Sequence, residues 1–317
     1  MPCPDPPVTA SSIYSSSRYL RAKETVDRRS LNQRVWARFV EELMQRESTP
    51  IRILEVGGGV GATAKQIIEA LEEPSIGAVE YTFVDIDPEH VQSAKEALRA
   101  WARNRGFHVS GQGGTQEWTG GLVDVTVRFV PADLFDLPAI AEDTAYDAVV
   151  AQSVFDLLEI PNALDALDPL IRPDGLWYLP LHFDGVTAFE PSVEPDLDAK
   201  IERLYHESMG GAPDEEGGRA GAHCGRRLLC DLRNASNSLL EVGSSDWIII
   251  PQKGEYSAEE EYFLQCILHF IETELAGHPD LADDALNHWL DVRRQQTEAG
   301  ELIYIAHQLD VLARGPG

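Results

Sequence analysis

Lysine is scarce. Five residues (Lys23, Lys65, Lys95, Lys200 and Lys253) stand among 26 basic side chains, against 53 acidic ones, and the 317-residue chain carries a formal charge of −27. Such an excess repels phosphate backbones and anionic lipid, so it excludes non-specific binding to nucleic acid or to a membrane surface unless a local basic patch offsets it. The one candidate patch is N-terminal. Residues 1–50 hold eight basic and six acidic side chains, whereas 131–217 hold twenty acids and three bases. A carboxylate-rich body with few lysines stays hydrated in concentrated salt, where screening relieves its self-repulsion, and this points to a salt-adapted host. Cysteine is also sparse: Cys3, Cys224, Cys230 and Cys266 form no CxxC pair, and the nine histidines show no HExxH or HxxxH pattern. Free thiols in a reducing compartment and no metal site are expected. No run approaches the roughly 18 apolar residues of a membrane span, and MPCPDPPVTASS has neither the basic flank nor the apolar core of a secretory leader. The expectation is a soluble, cytoplasmic protein.

What is present is ordinary globular material. Hydrophobic residues make up 43% of the chain, enough for a large core, and the length suits two domains or one α/β domain with insertions. Residues 1–17, rich in Pro and Ser, read as loose. A helix is predicted from Ser30, its cap, because Val35, Trp36, Phe39, Val40, Leu43 and Met44 recur at three- and four-residue intervals. From residue 51 strand and helix alternate: IRILEV (51–56), a glycine turn and helix to 73, VEYTFVDID (79–87), and a helix opened by Pro88 running to about Arg105. Glycine-rich 106–121 reads as an extended loop or small hairpin. Further strands are predicted at 123–133, 146–153 and 175–183, with a helix from Pro161 to Leu170. Short connections between these units mean a parallel sheet. Beyond 187 the rhythm changes. Helical segments flank a Gly-rich break at 210–221, 237–251 is extended, helices follow at 257–276 and 281–298, and 301–314 reads as a closing strand, a terminal helix being the competing reading.

The informative stretch is Glu55-Val56-Gly57-Gly58-Gly59-Val60-Gly61. A strand running straight into glycines and then a helix places free backbone N–H groups at a helix N-terminus, a cradle for the polar end of a nucleotide. Gly57, Gly59 and Ala62 also satisfy the dinucleotide fingerprint, so spacing alone leaves the cofactor open. Carboxylates discriminate better. Glu55, beside the position a diphosphate would take, would repel phosphate and attract an ammonium or sulfonium group. Asp85, closing the second strand, is placed to accept hydrogen bonds from ribose hydroxyls. Both fit a cationic nucleoside without phosphates, which is S-adenosylmethionine. Ordinary explanations stand beside these: a tight strand-helix turn for the glycines, a helix cap for Asp85 or, by preference, Asp87, and a turn for Asp133.

In this order of motifs the sequence resembles the class I S-adenosylmethionine-dependent methyltransferases over about residues 51–183. The resemblance implies an α/β, doubly wound, mostly parallel seven-stranded sheet of Rossmann-like fold. It implies an N-terminal helical segment (1–50), a cofactor-binding core (51–186) and a segment 187–317 of helical cap insertions plus the last strands. Its implied cofactor residues are Glu55, Gly57 and Gly59 in ILEVGGGVG, Asp85 with Ile86 in FVDIDP, Asp133 and Leu134 in VPADLF bordering adenine, and Gln152 and Ser153 in AQSVFDL beside the sulfonium. RPDG (172–175) resembles the turn before strand five. No D/N-PP-Y/F motif ends strand four, which speaks against methylation of nucleobase amino groups. N-terminal helices often fold over the site in this family, and Tyr14, Arg18, Tyr19 and Lys23 are candidates, a solvated helix face being the alternative.

The acceptor's partners carry less signal. His182 and Asp156 lie past strands five and four, on the edge where open α/β sheets bind ligands, and are the candidate bases, Asp184 lying beside His182. A loop histidine bonded to backbone is the plainer reading of His182. Trp247, Tyr262, His269 and Trp289 are candidates to line a substrate pocket or to serve as core. The expected function is methyl transfer to a small-molecule acceptor under a helical cover over the carboxyl edge, with no nucleic-acid or membrane partner. The rivals are an NAD-dependent oxidoreductase, an aminopropyltransferase and a non-catalytic module that binds the cofactor.

Overall fold

The computed structural model describes residues 14–47, 49–140, 145–210 and 219–316. Cys3 and most of the Gly-rich break (211–218) lie outside them. Two helices come first, α1 (Ser16–Ser30) and α2 (Gln33–Met44). The predicted cap at Ser30 is displaced: Asn32 caps α2, its side chain accepting from the N–H groups of Arg34 and Val35. Apolar periodicity gives no sign of α1, which only the resemblance implied, because its buried face is Ala22, Lys23, Val26 and Asp27, half of it charged.

The alternating core follows as β1 (Ile51–Val56), α3 (Ala62–Ala70), β2 (Ala78–Asp85), α4 (Pro88–Asn104), β3 (His108–Ser110), β4 (Thr115–Thr119), β5 (Asp124–Pro131), the short α5 (Leu137–Ile140), β6 (Tyr146–Val150) and α6 (Ile160–Leu167). Next come β7 (Ile171–Glu190), α7 (Pro195–Ser208), α8 (Cys224–Asn234), β8 (Ser238–Ser244), β9 (Trp247–Ile249), α9 (Glu260–Leu275), α10 (Asp283–Glu298) and β10 (Ile303–Arg314). Asp87 caps α4 by accepting from Glu89 N–H at 2.8 Å, with Pro88 in the first turn.

Among the described residues the sheet has ten strands, in the order β3-β4-β5-β2-β1-β6-β7-β10-β8, with β9 paired to β10. The expected seven are the run β5-β2-β1-β6-β7-β10-β8. The three additional strands are the hairpin β3–β4 at one edge, realised from the glycine-rich stretch, and the short β9. Strands β5, β2, β1, β6 and β7 are parallel, and β10 lies antiparallel between β7 and β8. The chain reverses direction across the sheet between β1 and β6, the switch point where open α/β sheets open a crevice.

Both faces are covered, which is why the central strands read as continuous apolar runs. Ile51 and Ile53 pack with α2, α3 and α4 on one face, while Leu54 and Val56 pack with α6 and α8 on the other. A third cluster joins α1, α7, α9 and α10 to Phe189 on β7, Trp247 on β9 and Tyr304 on β10. β7 runs past residue 186 without a break, so the parallel core and this third cluster share a strand. No helix among the described residues is long and apolar enough to cross a membrane.

Candidate active site

The crevice at the carboxyl ends of β1, β2, β5 and β6 has a volume of about 470 Å³. Its floor is the glycine loop. Gly57 has φ +65°, and a Cβ there would collide with the Val154 side chain, so this residue type keeps the crevice open. The loop is pinned to the end of β2: Gly58 N–H donates to the Val84 carbonyl at 3.0 Å and Gly59 N–H to Asp85 Oδ2 at 2.8 Å. Asp85 Oδ1 accepts from Asp87 N–H at 2.9 Å and lies 3.3 Å from His90 Nδ1, while His90 Nε2 meets Ser16 Oγ at 2.9 Å. The acid that ends β2 therefore ties the floor to the first turn of α1. Asp133 Oδ1 accepts from Phe135 N–H at 3.0 Å, a turn-closing bond, and the residue still lines the crevice. Ile86 is 69% exposed and Phe135 is exposed, two apolar side chains flanking the mouth with Leu134 between strand end and wall.

α1 forms the roof. Leu20, Lys23 and Asp27 line the same crevice, Lys23 Nζ lying 3.3 Å from Asp27 Oδ2. Asp27 Oδ2 accepts from Gln152 Nε2 at 3.0 Å, and Gln152 Oε1 accepts from Thr63 Oγ1 at 3.1 Å. Burial raises the Asp27 carboxyl above its ordinary value, with Lys23, Trp247 and Gln152 pulling it back. Sequence reading missed Asp27 and Leu20. The available signal was the i,i+4 Lys23–Asp27 pair beside Ala22 and Val26, a helical stripe that a search for apolar periodicity passes over.

Glu55 does not face the crevice, which corrects the expectation placed on it. It is 1% exposed, accepts from Tyr81 OH at 3.0 Å and bonds Thr63. Burial pushes its carboxyl up to about 8, so at neutral pH it is uncharged. The side chain points off the loop into the sheet interior, because its neighbours Leu54 and Val56 take the opposite face. The negative groups that do line the crevice are Asp27, Asp85, Asp87 and Asp133, against Lys23 and His90. A folded pKa raised above 4.5 costs stability as pH climbs from there to about 8, since the unfolded chain ionises freely and the native one cannot. Glu55→Gln should therefore match the parent near pH 4.5 and exceed it by about 1–3 kcal/mol at pH 9. Equal denaturant midpoints at pH 9 would show that folding leaves the Glu55 carboxyl at its ordinary value.

His182 is likewise corrected. It is fully buried; its Nδ1–H donates to the Leu179 carbonyl at 3.2 Å and its Nε2 accepts from Phe155 N–H at 3.3 Å. Burial lowers its pKa to about 3, and it lines neither the crevice nor the chamber next to it. It braces the turn after β6 and offers no free lone pair for proton transfer. Asp184 is held by Arg226, whose Nε donates at 2.8 Å. Among the described residues one His/Cys/carboxylate group has atoms close enough to share a cation, Asp156, His182 and Cys224, but both imidazole nitrogens are engaged and burial keeps the Cys224 thiol protonated.

Asp156 stands differently. It lines a second chamber of about 310 Å³ that adjoins the crevice, the two sharing Ser153 and Leu157. Its Oδ1 accepts from Phe183 N–H at 2.9 Å. Burial pushes its carboxyl up to about 7 against the pull of Phe183 N–H, Lys23, its own N–H and Cys224. Ser153 has φ +54° and its Oγ donates at 3.0 Å to the carbonyl of Leu181, which has φ +60°. Strained residues meet where the two spaces join, and Asp310 holds the pair by accepting from Leu181 N–H at 2.8 Å. Of the aromatic candidates, Trp247 lines the chamber. Tyr262 accepts from Ser15 N–H at the start of α1, His269 packs on Tyr14, and Trp289 donates to Asp198 in the core.

A doubly wound sheet here opens a switch-point crevice lined by carboxylates, a setting that opposes a diphosphate. Residues 54–177, about two fifths of the chain, match the protein-family model described as "Methyltransferase domain", and this part of the chain is a methyltransferase domain whose cofactor is S-adenosylmethionine. A stretch of 57 residues, 18% of the chain, is 44% identical to a non-reducing polyketide synthase of Aspergillus terreus, and 62 residues, 19% of the chain, are 42% identical to 3-methylorcinaldehyde synthase of Phoma sp. The chain matches about 2% of the length of each of these relatives. Among solved structures it is similar to the YcgJ protein of Bacillus subtilis (TM-score 0.45, 13% identity, 90% of this chain and 100% of that one) and to phosphoethanolamine N-methyltransferase 2 of Haemonchus contortus (TM-score 0.41, 10% identity, 96% and 61%).

Proposed function

We propose that the chain transfers the methyl group of S-adenosylmethionine to a small molecule held in the chamber beside the crevice. The observation that carries this is the contiguity of the two spaces at Ser153 and Leu157. Methyl transfer is an in-line displacement in which the acceptor atom must approach the methyl carbon to about 3–3.5 Å, and most of the rate comes from holding it there. A chamber abutting the cofactor crevice suits that requirement.

In this reading Asp85 accepts from the ribose hydroxyls, and Ile86 with Leu134 and Phe135 cover the adenine, which would remove Ile86 from water. Asp133 borders the adenine edge. Gly57 and Gly59 admit the methionine part, Gln152 and Ser153 flank the sulfur, and Lys23 and Asp27 take the methionine carboxylate and ammonium. Asp156 is the proton acceptor for the incoming group. A charge of −27 and a chamber of about 310 Å³ both favour a small acceptor over nucleic acid.

Asp85→Ala should weaken S-adenosylmethionine by about 1–3 kcal/mol through loss of charge-assisted hydrogen bonds, read by titration calorimetry. Undiminished affinity would remove Asp85 from the site. The same titration with NADH separates the rival oxidoreductase, because four crevice carboxylates oppose a pyrophosphate. Cofactor binding without turnover on any acceptor would instead mark a non-catalytic module.

A further inference from the structure

The chamber itself specifies the chemistry of what enters it. Six aromatic residues wall it: Tyr19, Phe183, Tyr205, Trp247, Phe270 and Tyr304. They come from α1, β7, α7, β9, α9 and β10, so the cover and the sheet converge on this one space. Tyr19 meets Phe270 edge to face at 5.2 Å, and such ring walls accept a flat ring by stacking on one side and edge contact on the other.

One buried polar group within is unmatched. Gln308 is 2% exposed, lines the chamber, and its Oε1 has no hydrogen-bond partner among the described residues. That oxygen can only accept, so the group that satisfies it must be a donor. Burial holds the phenols of Tyr19, Tyr205 and Tyr304 protonated, with no hydrogen bond contributing to any of the three. Asp156 adds a further acceptor beside Ser153, at the end nearest the crevice. An anionic acceptor would face Asp156 and Glu274, with Arg219 as the one cation of the lining among the described residues. A buried ammonium needs an ionised partner and has no lone pair with which to attack the methyl carbon. A neutral hydroxyl meets every one of these groups without leaving a charge unpaired.

We propose, building on the methyltransferase reading, that the acceptor is a flat conjugated ring system bearing at least two hydroxyl groups. One hydroxyl is methylated at oxygen beside Asp156, and another is held by Gln308 and the tyrosine hydroxyls. In the transfer the hydroxyl proton passes to the Asp156 carboxylate. The oxygen lone pair forms the new O–C bond as the C–S bond breaks, its electron pair returning to sulfur, so the sulfonium leaves as a neutral thioether.

The test is calorimetry on the full chain saturated with S-adenosylhomocysteine, using 1,3-dihydroxynaphthalene, its dimethyl ether and 1-naphthylmethylamine as probes. The diol should bind about tenfold or more tighter than ether or amine, because a site built to bond a hydroxyl rejects analogues without it. Gln308→Leu should weaken the diol about five- to tenfold and leave the ether unchanged. Tyr205→Phe, which removes one oxygen and little volume, should act in the same direction and guards against a misfolded Gln308 variant. Ether or amine binding as tightly as the diol, or no diol binding to protein that has bound S-adenosylhomocysteine, overturns the acceptor class while the cofactor reading stands. Failure to bind S-adenosylhomocysteine overturns the cofactor reading itself. With S-adenosylmethionine in its place, mass spectrometry should find the mono-O-methyl ether, and a C-methylated product would count against transfer to oxygen.

Discussion

Replacing Asp198 by Ala should cost about 3–5 kcal/mol of stability, the penalty of a buried charge left without its partner. Arg293 is fully buried, and its Nη2 donates to Asp198 Oδ1 at 2.7 Å. The same carboxylate accepts from Trp289 Nε1 at 2.6 Å, Ser192 Oγ at 2.6 Å and Val193 N–H at 3.0 Å. Burial alone would raise the Asp198 pKa, but bonds from Ser192, Trp289 and Val193 and the charge of Arg293 outweigh it and hold the group below its ordinary value. A depressed carboxyl pKa contributes stability above the unfolded value that is lost as pH falls through the folded one. The deficit of Asp198→Ala should accordingly shrink in acid. The double variant Asp198→Leu with Arg293→Met should regain most of the loss, because an apolar pair of similar size leaves no charge buried. Urea unfolding at pH 7 measures all three proteins, and a single-variant loss under 1 kcal/mol would mean that Arg293 reaches water. The consequence extends to function, since this pair joins α7 to α10 and α7 carries Tyr205 into the chamber wall.

How much of this was legible in the sequence depends on whether a segment's burial is written in apolar residues. β1 and β6 were readable because strands covered on both faces are largely apolar, and β2 and β5 because apolar residues alternate along them. α4 announced its own start, Asp87 and Pro88 supplying a cap and a first-turn residue that needs no N–H donor. α1 hid because the face it buries includes Lys23 and Asp27, which serve a polar crevice. β7 was read as ending near residue 183, so His182 was taken for an edge residue. The strand continues to Glu190, and the left-handed Leu181 turns the imidazole inward.

The electrostatic reading of the crevice had the right sign but named the wrong residue for half of it. Glu55 is adjacent to the loop in sequence, yet period-two alternation sends its side chain into the interior, and burial then removes its charge. The acid that complements Asp85 is Asp27, 28 residues upstream of Glu55 on a helix that only the tertiary fold lays over the crevice. The chamber was illegible for the same reason: Tyr19, Tyr205, Trp247, Tyr304 and Gln308 share no spacing, and β10, inserted antiparallel beside β7, is what brings the last two to the first three.

Asp156→Asn should lower turnover by roughly a hundred- to ten-thousandfold, the range expected when a positioned general base is removed, while leaving S-adenosylmethionine affinity within about twofold. The asparagine keeps the size of the side chain and can still accept from Phe183 N–H through its oxygen, so the Phe183–Ser153 wall should stay in place. What it cannot do is take a proton. In the parent protein kcat/KM for the acceptor should rise about tenfold per pH unit up to about 7, where burial has set the Asp156 carboxyl, and level off above it. The sulfonium of the bound cofactor moves that limb to lower pH, because a nearby cation favours the carboxylate. In Asp156→Asn the limb should vanish, and the residual rate should rise only as the acceptor hydroxyl itself ionises. An acceptor more acidic than Asp156 would need little help, so the penalty should shrink along a series of increasingly acidic ring hydroxyls. A variant that keeps more than a third of the parent rate with an unaltered pH limb would show that positioning at Ser153 and Leu157 suffices and that Asp156 is only part of the wall.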